Sequence, residues 1–359
     1  MAAAFDAELL YLEYLEDGEL VIENYRPRNS DFEELDEIKF HERYRLKKHV
    51  VELLLEQIED RLEYNTDRNN PLTPIQQLLL ALRFYATGSY QLVIGDVNGV
   101  SKSTVSRYVR KISYLLASLR PQYIKFPTGD EIPSVIQDFY NIAQFPGVIG
   151  TIDCTHIPIL SPGGNMAEIY RNRKSYFSLN VQTISDSQLF IRDIVARWPG
   201  SVHDSTIFQR CGRRMLFETG RIGRGLLLGD SGYPLKPYLM TPLLNPRTQA
   251  EQNYNNSHIA TRNTVERQYG IWKRRFPALN FGLRTNINTA MDVIVATAVL
   301  HNIALQTNHE DPPDDVTLEQ FMFNRERWQF EDVPVPEIVN GGEGGAIAVR
   351  TAIINNHFA

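Results

Sequence analysis

Between residues 145 and 240 the chain repeatedly sets an aspartate at the end of a structural element. Residues 147–155 read GVIGTIDCT, with Asp153 in the C-terminal part of an apolar run. Residues 200–205 read GSVHDS, with Asp204 just ahead of a helical pattern, and residues 225–234 read GLLLGDSGYP, a buried-type run closing on Asp230. Short apolar or β-branched runs bounded by Gly, Pro, Asn or Asp predict strands. Strands are therefore expected over 147–160, 178–185, 189–196 and 225–229. Helical spacing returns at 205–217, 257–276 and 288–306. Asp is depleted in strands, so an acid at the end of such a run asks for a reason.

The region upstream has a different period. Apolar residues at helical spacing (Val50, Val51, Leu53, Leu54, Ile58, Leu62) predict a helix within 41–64. Thr73-Pro74 reads as the cap and first residue of the next helix, which stops near Gly88. A short helix over 90–97, a turn at Asn98-Gly99 and a long helix over 101–119 make a helix-turn-helix pattern. In that motif the second helix presents its N-terminal residues to base edges. Here those are Lys102, Ser103, Thr104, Ser106 and Arg107, with Arg110 and Lys111 placed for phosphates. The competing reading is a helical hairpin whose stripe of Val105, Val109, Ile112, Leu115 and Leu116 packs a bundle.

Composition bounds the remaining choices. The chain has 359 residues, 43% of them hydrophobic, and a net charge of −6, enough for a sizeable core without staples. Two cysteines, Cys154 and Cys211, are too few for a disulfide scaffold or a Cys-ligated zinc site and suit a reducing compartment. Without a run of about 18 apolar residues no membrane span is expected. Residues 1–20 carry acids and no Lys or Arg, the wrong charge for a secretory signal. The net charge conceals segregation: residues 1–40 hold twelve acids against Arg26, Arg28 and Lys39, while Arg262, Arg267, Lys273, Arg274 and Arg275 surround Glu266 in NTVERQYGIWKRRF (263–276).

Carboxylates at strand ends, faced by a helix bearing another, suit a hard divalent ion that takes oxygen ligands. Two such ions about 4 Å apart can activate water and stabilise a leaving oxygen in phosphodiester hydrolysis. Basic residues around a metal-binding acid fit a polyanionic substrate. Taken singly, each acid has a plainer role. Asp204 suits a helix cap, Asp230 a turn, and Glu266 an i−4 pair with Arg262. His156 and His203 read either as metal ligands or phosphate-orienting groups or as satisfied buried histidines, and Cys154 reads as a small buried residue before a nucleophile.

The segments FPGVIGTIDCTHI (145–157), WPGSVHDSTIF (198–208), LLLGDSGYPLKPYLMTPL (226–243), NTVERQYGIWKRRFP (263–277) and AVLHNIAL (298–305), with residues 83–109 upstream, resemble the PIF/Harbinger class of DNA transposases and the nucleases derived from them. The resemblance spans about residues 40–306. It implies an α/β fold, an RNase H-like mixed five-stranded sheet with flanking helices, preceded here by the all-α helix-turn-helix region. It implies a DDE-type nuclease using Mg²⁺ or Mn²⁺, with Asp153 as first acid and Glu266 as last. The second acid of that topology follows the fourth strand, which favours Asp230 as catalytic and leaves Asp204 an accessory ligand. All four are metal-binding candidates.

The expected organisation is an acidic arm (1–40), a helical domain (41–128), a nuclease domain (129–306) and a tail of uncertain order (307–359). The expected activity is metal-dependent DNA cleavage, with strand transfer by a freed 3′-hydroxyl as an extension. DNA contacts are assigned to Lys102, Ser103, Thr104, Arg107, Arg110, Lys111, Arg262, Arg267, Lys273, Arg274 and Arg275. The expected partners are DNA, a Myb-like DNA-binding protein implied by the resemblance, and a second copy as a homodimer, with no membrane. The expected location is the nucleus, with the cytoplasm as a second compartment. Two alternatives stand beside this: a domesticated, catalytically silent DNA- or protein-binding module, and an RNA-processing enzyme of the RNase H group. The helix-turn-helix argues against RNA, whose A-form major groove excludes side chains.

Overall fold

The computed structural model describes residues 11–14, 20–23, 30–63, 71–223, 225–307 and 344–359. Most of the acidic arm and residues 308–343 of the expected tail lie outside them. Strands β1 (Tyr11–Tyr14) and β2 (Leu20–Glu23) pair antiparallel. A short helix α1 (Asp31–Glu34) follows. The helix expected within 41–64 is divided: α2 (Glu37–Tyr44) ends at Arg45, whose φ of 63° is left-handed, and α3 (Lys48–Ile58) starts anew. Helix α4 (Pro74–Thr87) has the expected ends. Thr73 and Gln76 exchange capping-box bonds, and Gly88 takes the left-handed conformation that closes the last turn.

Helix α5 (Gln91–Val97) and α6 (Lys102–Ser118) flank the turn at Asn98-Gly99. The Ser101 hydroxyl accepts from the Thr104 amide and caps α6. Gly95 is required here, because a Cβ would come within 2.5 Å of the Val100 carbonyl oxygen. The buried face of α6 is the expected apolar stripe. It packs on α4, α5 and α13 (Ile287–Gln306). Helix α13 is apolar enough to resemble a membrane span, yet 72% of its most apolar window is buried inside the protein. It is a core helix lying between α6 and the sheet.

After α7 (Arg120–Tyr123) and α8 (Glu131–Ala143) comes the sheet. Its strands are β3 (Val148–Pro158), β4 (Ser178–Ser185), β5 (Ile191–Pro199), β6 (Leu226–Leu228) and β7 (Leu239–Met240). The order is β5-β4-β3-β6-β7. The pairs β3–β4 and β4–β5 are antiparallel, while β3–β6 and β6–β7 are parallel. This is the mixed five-stranded sheet expected. Helix α8 and strand β7 fall outside the expected elements, and the helix expected over 205–217 is two, α9 (Asp204–Gln209) and α10 (Gly212–Glu218), divided at Cys211.

Both faces of the sheet are covered. One cluster of buried side chains runs from Val51, Leu78 and Leu116 of the helical region through α13 to Val181 and Ile191 of the sheet. It takes in Trp272 of α11 (Gln249–Arg275) and Leu279 of the short α12 (Ala278–Phe281). The helices before residue 124 thus share a core with one sheet face. Ile149, Ile152, Ile184 and Leu227 point the other way, toward Phe208 and Phe217. The chain's last helix, α14 (Gly344–Ile353), continues to Phe358, whose ring lies 5.8 Å from Phe145. This part of the expected tail is helical and docked.

Candidate active site

The site is organised by the middle strand. Val148–Ile152 of β3 is buried throughout, so the strand emerges toward solvent only at Asp153. Its parallel neighbour β6 pairs Leu228 with Thr151. Asp153, midway along β3, and Asp230, just past the end of β6, each stand two residues beyond that pair. The Asp230 carboxylate accepts from the Gly232 amide at 2.9 Å, an Asx turn that holds the side chain back over its own loop.

Asp204 arrives from the other side. The turn before α9 lies against β4 so closely that a Cβ on Gly200 would meet Ser178 Oγ at 2.2 Å and the Tyr170 carbonyl oxygen at 2.7 Å. His203 occupies the N-cap position, without a side-chain capping bond, and Asp204 is the first residue of the helix, so Asp204 is not the cap it could have been. Asn180 Nδ2 donates to Asp204 Oδ1 at 2.8 Å and to the Val202 carbonyl oxygen, fixing both loop and acid.

Glu266 is delivered by α11, which is pinned along β3. Thr264 Oγ1 meets Thr151 Oγ1 at 2.8 Å, the Tyr269 hydroxyl donates to the Asp153 carbonyl oxygen at 2.6 Å, and Lys273 Nζ donates to Thr155 Oγ1 at 2.5 Å. Four strand residues rise ~13 Å and nine helical residues ~13.5 Å, so strand and helix keep step over this length. Arg262 Nη1 then reaches Asp153 Oδ2 at 3.0 Å, and its Nη2 bonds Glu266 Oε1. The i−4 pair considered for Glu266 is present, with Asp153 as third member. Glu266 remains half exposed at 52%, against 17% for Asp153.

Crowding shows in the electrostatics. Burial, and then the Asp230 carboxylate, pushes Asp153 up to about 7 despite Arg262 and the Cys154 amide. Burial also raises Asp230, with Asp204 adding and the Gly232 amide opposing. Burial lowers His156 to about 4, and its Nδ1 sits 3.1 Å from Ser178 Oγ. Cys154 is raised by burial and lies 3.4 Å from the Tyr233 hydroxyl, so it acts as a packed thiol rather than a nucleophile.

Does this set fit a hard divalent ion? The donors are carboxylate oxygens, and Asp153 carries more negative neighbours than Arg262 neutralises. An incoming cation would relieve that excess, so the residues fit in chemistry and charge. In position they are not gathered. Among the described residues no three His, Cys, Asp or Glu side chains stand close enough to hold one ion. The expected gathering of four acids around common ions is therefore not seen: Asp153, Asp204 and Asp230 act on one another only through their charges, and Glu266 is joined to Asp153 through a guanidinium.

Of the residues assigned to DNA contact, Lys102, Ser103, Arg107 and Arg110 are exposed on α6, while Thr104 and Lys111 are half-buried. Arg267 is exposed and Arg274 half-buried. Arg275 is a correction. It is fully buried in the core shared with the helical region, so its guanidinium cannot meet DNA. Lys273 is engaged by Thr155. Two positioning residues lay outside the expected set, Tyr269 and Asn180. Tyr269 had a signal: Arg262, Glu266, Tyr269 and Lys273 follow i, i+4, i+7, i+11, one stripe of a helix. Asn180 had none, because its role depends on a loop arriving from another strand.

A family model described as DDE superfamily endonuclease matches residues 152–302. The curated protein named Putative nuclease HARBI1 from Bos taurus is 34% identical over 267 residues, 73% of this chain and 76% of its own length. Its counterpart from Homo sapiens gives the same figures. Protein ALP1-like from Arabidopsis thaliana is 26% identical over 281 residues, 73% of this chain and 68% of its own. No solved structure matches the chain.

Proposed function

Because the chain belongs to the Harbinger-derived family of DDE superfamily endonucleases, we propose that it is a metal-dependent DNA endonuclease with Asp153, Asp230 and Glu266 as its acids. Asp204, held by Asn180, serves as an accessory ligand. The observation that carries this reading is the placement of Asp153 on β3 and Asp230 just past parallel β6, each two residues beyond the Thr151–Leu228 pair, with burial and mutual repulsion lifting Asp153 to about 7. A buried carboxylate left so poorly compensated is where a functional cation is expected.

Divalent ions, when bound, supply Lewis acidity toward the phosphate and lower the pKa of water. The chain does the rest. Asp153 offers its oxygens from rigid β3 and Asp230 from the turn after β6, and α11, pinned at Thr264, Tyr269 and Lys273, holds Glu266 across Arg262 from Asp153. Arg262 stands in for a cation between Asp153 and Glu266. Once those carboxylates are otherwise neutralised, its guanidinium is free to take a phosphate oxygen. Strand transfer by a freed 3′-hydroxyl, a nuclear site of action and association with a Myb-like protein or a second copy extend the same proposal.

A second reading is favoured by the Arg262 bridge itself, which occupies the space between first and last acid: a domesticated DNA- or protein-binding module without chemistry. Purified protein incubated with plasmid and inverted-repeat DNA, with Mg²⁺ or Mn²⁺ and with chelator, separates the two. Nicking lost in Asp153→Ala and Glu266→Ala supports the nuclease. Nicking unchanged in either variant, or none by the wild type with DNA binding intact, overturns it.

A further inference from the structure

One face of α6 turns toward a cleft instead of open solvent. Ser103, Ser106, Arg107 and Arg110, spaced i, i+3, i+4, i+7, line one wall. The opposite wall is Arg284, Thr285, Asn286 and Thr289, at the start of α13, and Gln91 also lines the cleft. The cleft holds about 430 Å³. Three arginines converge on it, and no Asp or Glu is among its lining residues. Like charges gathered without a counter-charge raise the free energy of the empty protein, unless a ligand supplies the missing sign.

Two of the arginines are held by rings, and among the described residues none of the three has a carboxylate partner. The Arg284 guanidinium lies over the exposed Tyr90 ring, 4.2 Å from its centroid, and that of Arg107 over Tyr108 at 5.2 Å. These interactions orient a guanidinium and leave its charge intact. Hydroxyls and amides make up the remaining polar lining, the donors that phosphate oxygens accept from. The far wall is anchored to the catalytic strand. The Leu283 amide donates to the Pro158 carbonyl oxygen at 2.8 Å, and Leu283 bridges Ile159. Pro158 is five residues beyond Asp153, ~16 Å of strand, on the order of five base-pair steps of one DNA strand.

We propose that this cleft seats the phosphate backbone of duplex DNA flanking the bond to be cut, with Arg107, Arg110 and Arg284 as its cationic groups. The ligand rests on the nuclease reading, but the seat does not use the acids. The helix-turn-helix then acts differently from its usual mode. With residues 284–289 facing its basic stripe, α6 grips a backbone and holds the duplex in register, and it does not read base edges.

The test is fluorescence anisotropy of the full chain with a labelled duplex, in chelator, from 50 to 200 mM salt. Arg284→Ala, and Arg107→Ala with Arg110→Ala, should each weaken binding. The slope of log affinity against log salt should fall by about 0.9 for every phosphate the variant no longer neutralises. Arg284→Lys should retain most of the slope. The weakening should be equal across unrelated sequences, and circular dichroism should show all variants folded. An unchanged slope in Arg284→Ala overturns the proposal. So does loss of preference at one base position in Arg107→Ala, which would mean base readout, or equal displacement by duplex RNA. The drop in slope on Arg284→Ala should be the same with or without Asp153→Ala. Nuclease failure with these slopes intact therefore leaves the seat standing, and slope failure with Asp153-dependent nicking intact sinks only the seat.

Discussion

Asp153 and Glu266, 113 positions apart and on different elements, are bound by a single guanidinium, that of Arg262. The bridge is largely shielded on the Asp153 side and open on the Glu266 side. It makes Arg262 both a structural clamp and an occupant of the space the acids share.

Replacing Arg262 by Gln therefore has two consequences. Without metal, Asp153 loses its main counter-charge, and stability should fall by roughly 2 kcal/mol, below the range for fully buried pairs because this one is partly solvated. Added Mn²⁺ should restore more of the melting temperature in Arg262→Gln than in wild type. Equal Mn²⁺ shifts in both proteins would contradict the bridge as occupant.

Asp153 predicts a particular pH dependence. Its folded value of about 7 exceeds the unfolded 3.8, so the folded state holds the proton more tightly. The stabilisation from that proton is complete at low pH and is lost as pH rises toward and through 7. Asp153→Asn removes the penalty. The metal-free variant should exceed wild type by roughly 1–2 kcal/mol at pH 8, once Arg262's lost partner is set against the gain. The advantage should vanish by pH 5. Urea denaturation at both values measures it, and a pH-independent difference would refute it.

His301 and His258 act in the opposite sense. Burial lowers them to about 3 and about 4, and their Nε2 atoms face the carbonyl oxygens of Leu189 and Met240. The unfolded chain takes up these protons below its ordinary value of 6.5, so stability is lost as pH falls from 6.5 toward 4. In Asp153→Asn, freed of the opposing carboxyl, denaturation midpoints should drop clearly between pH 7 and pH 5. A flat profile would show that these histidines accept protons in the folded state.

Tyr269 is a positioning residue. Its hydroxyl donates to the Asp153 carbonyl oxygen and accepts from Thr183. Tyr269→Phe should lower stability by about 1–2 kcal/mol. Nicking should fall about tenfold as Glu266 loses its alignment, with the salt dependence of DNA binding unaltered. Full nicking activity would assign Tyr269 to packing alone.

Gly200→Ala tests the approach that delivers Asp204. The added carbon overlaps Ser178 Oγ and the Tyr170 carbonyl, and overpacking of this kind costs about 1–3 kcal/mol. Thermal melting measures it, and an unchanged melting temperature would mean that the turn shifts freely.

Much of the scaffold is readable from local chemistry. Residues 178–185 read as a strand and are one, residue for residue. Thr73-Pro74 and Ser101 start helices where cap chemistry says they must. The break at Arg45 was hidden, because a left-handed arginine leaves no mark in an apolar stripe. So was β7, a two-residue strand with no period to detect.

Sequence alone therefore determined most of the elements, their order and which of them carry the acids, because alternation, helical period and capping are properties of neighbouring residues. Tertiary structure decided the partners of charged groups. It buried Arg275, which its basic surroundings recommended for DNA, and it brought Arg284 opposite Arg110 across a cleft. The reason is physical: the energy of a charge depends on the dielectric around it and on charges from distant elements, and both exist only once helices and sheet have packed.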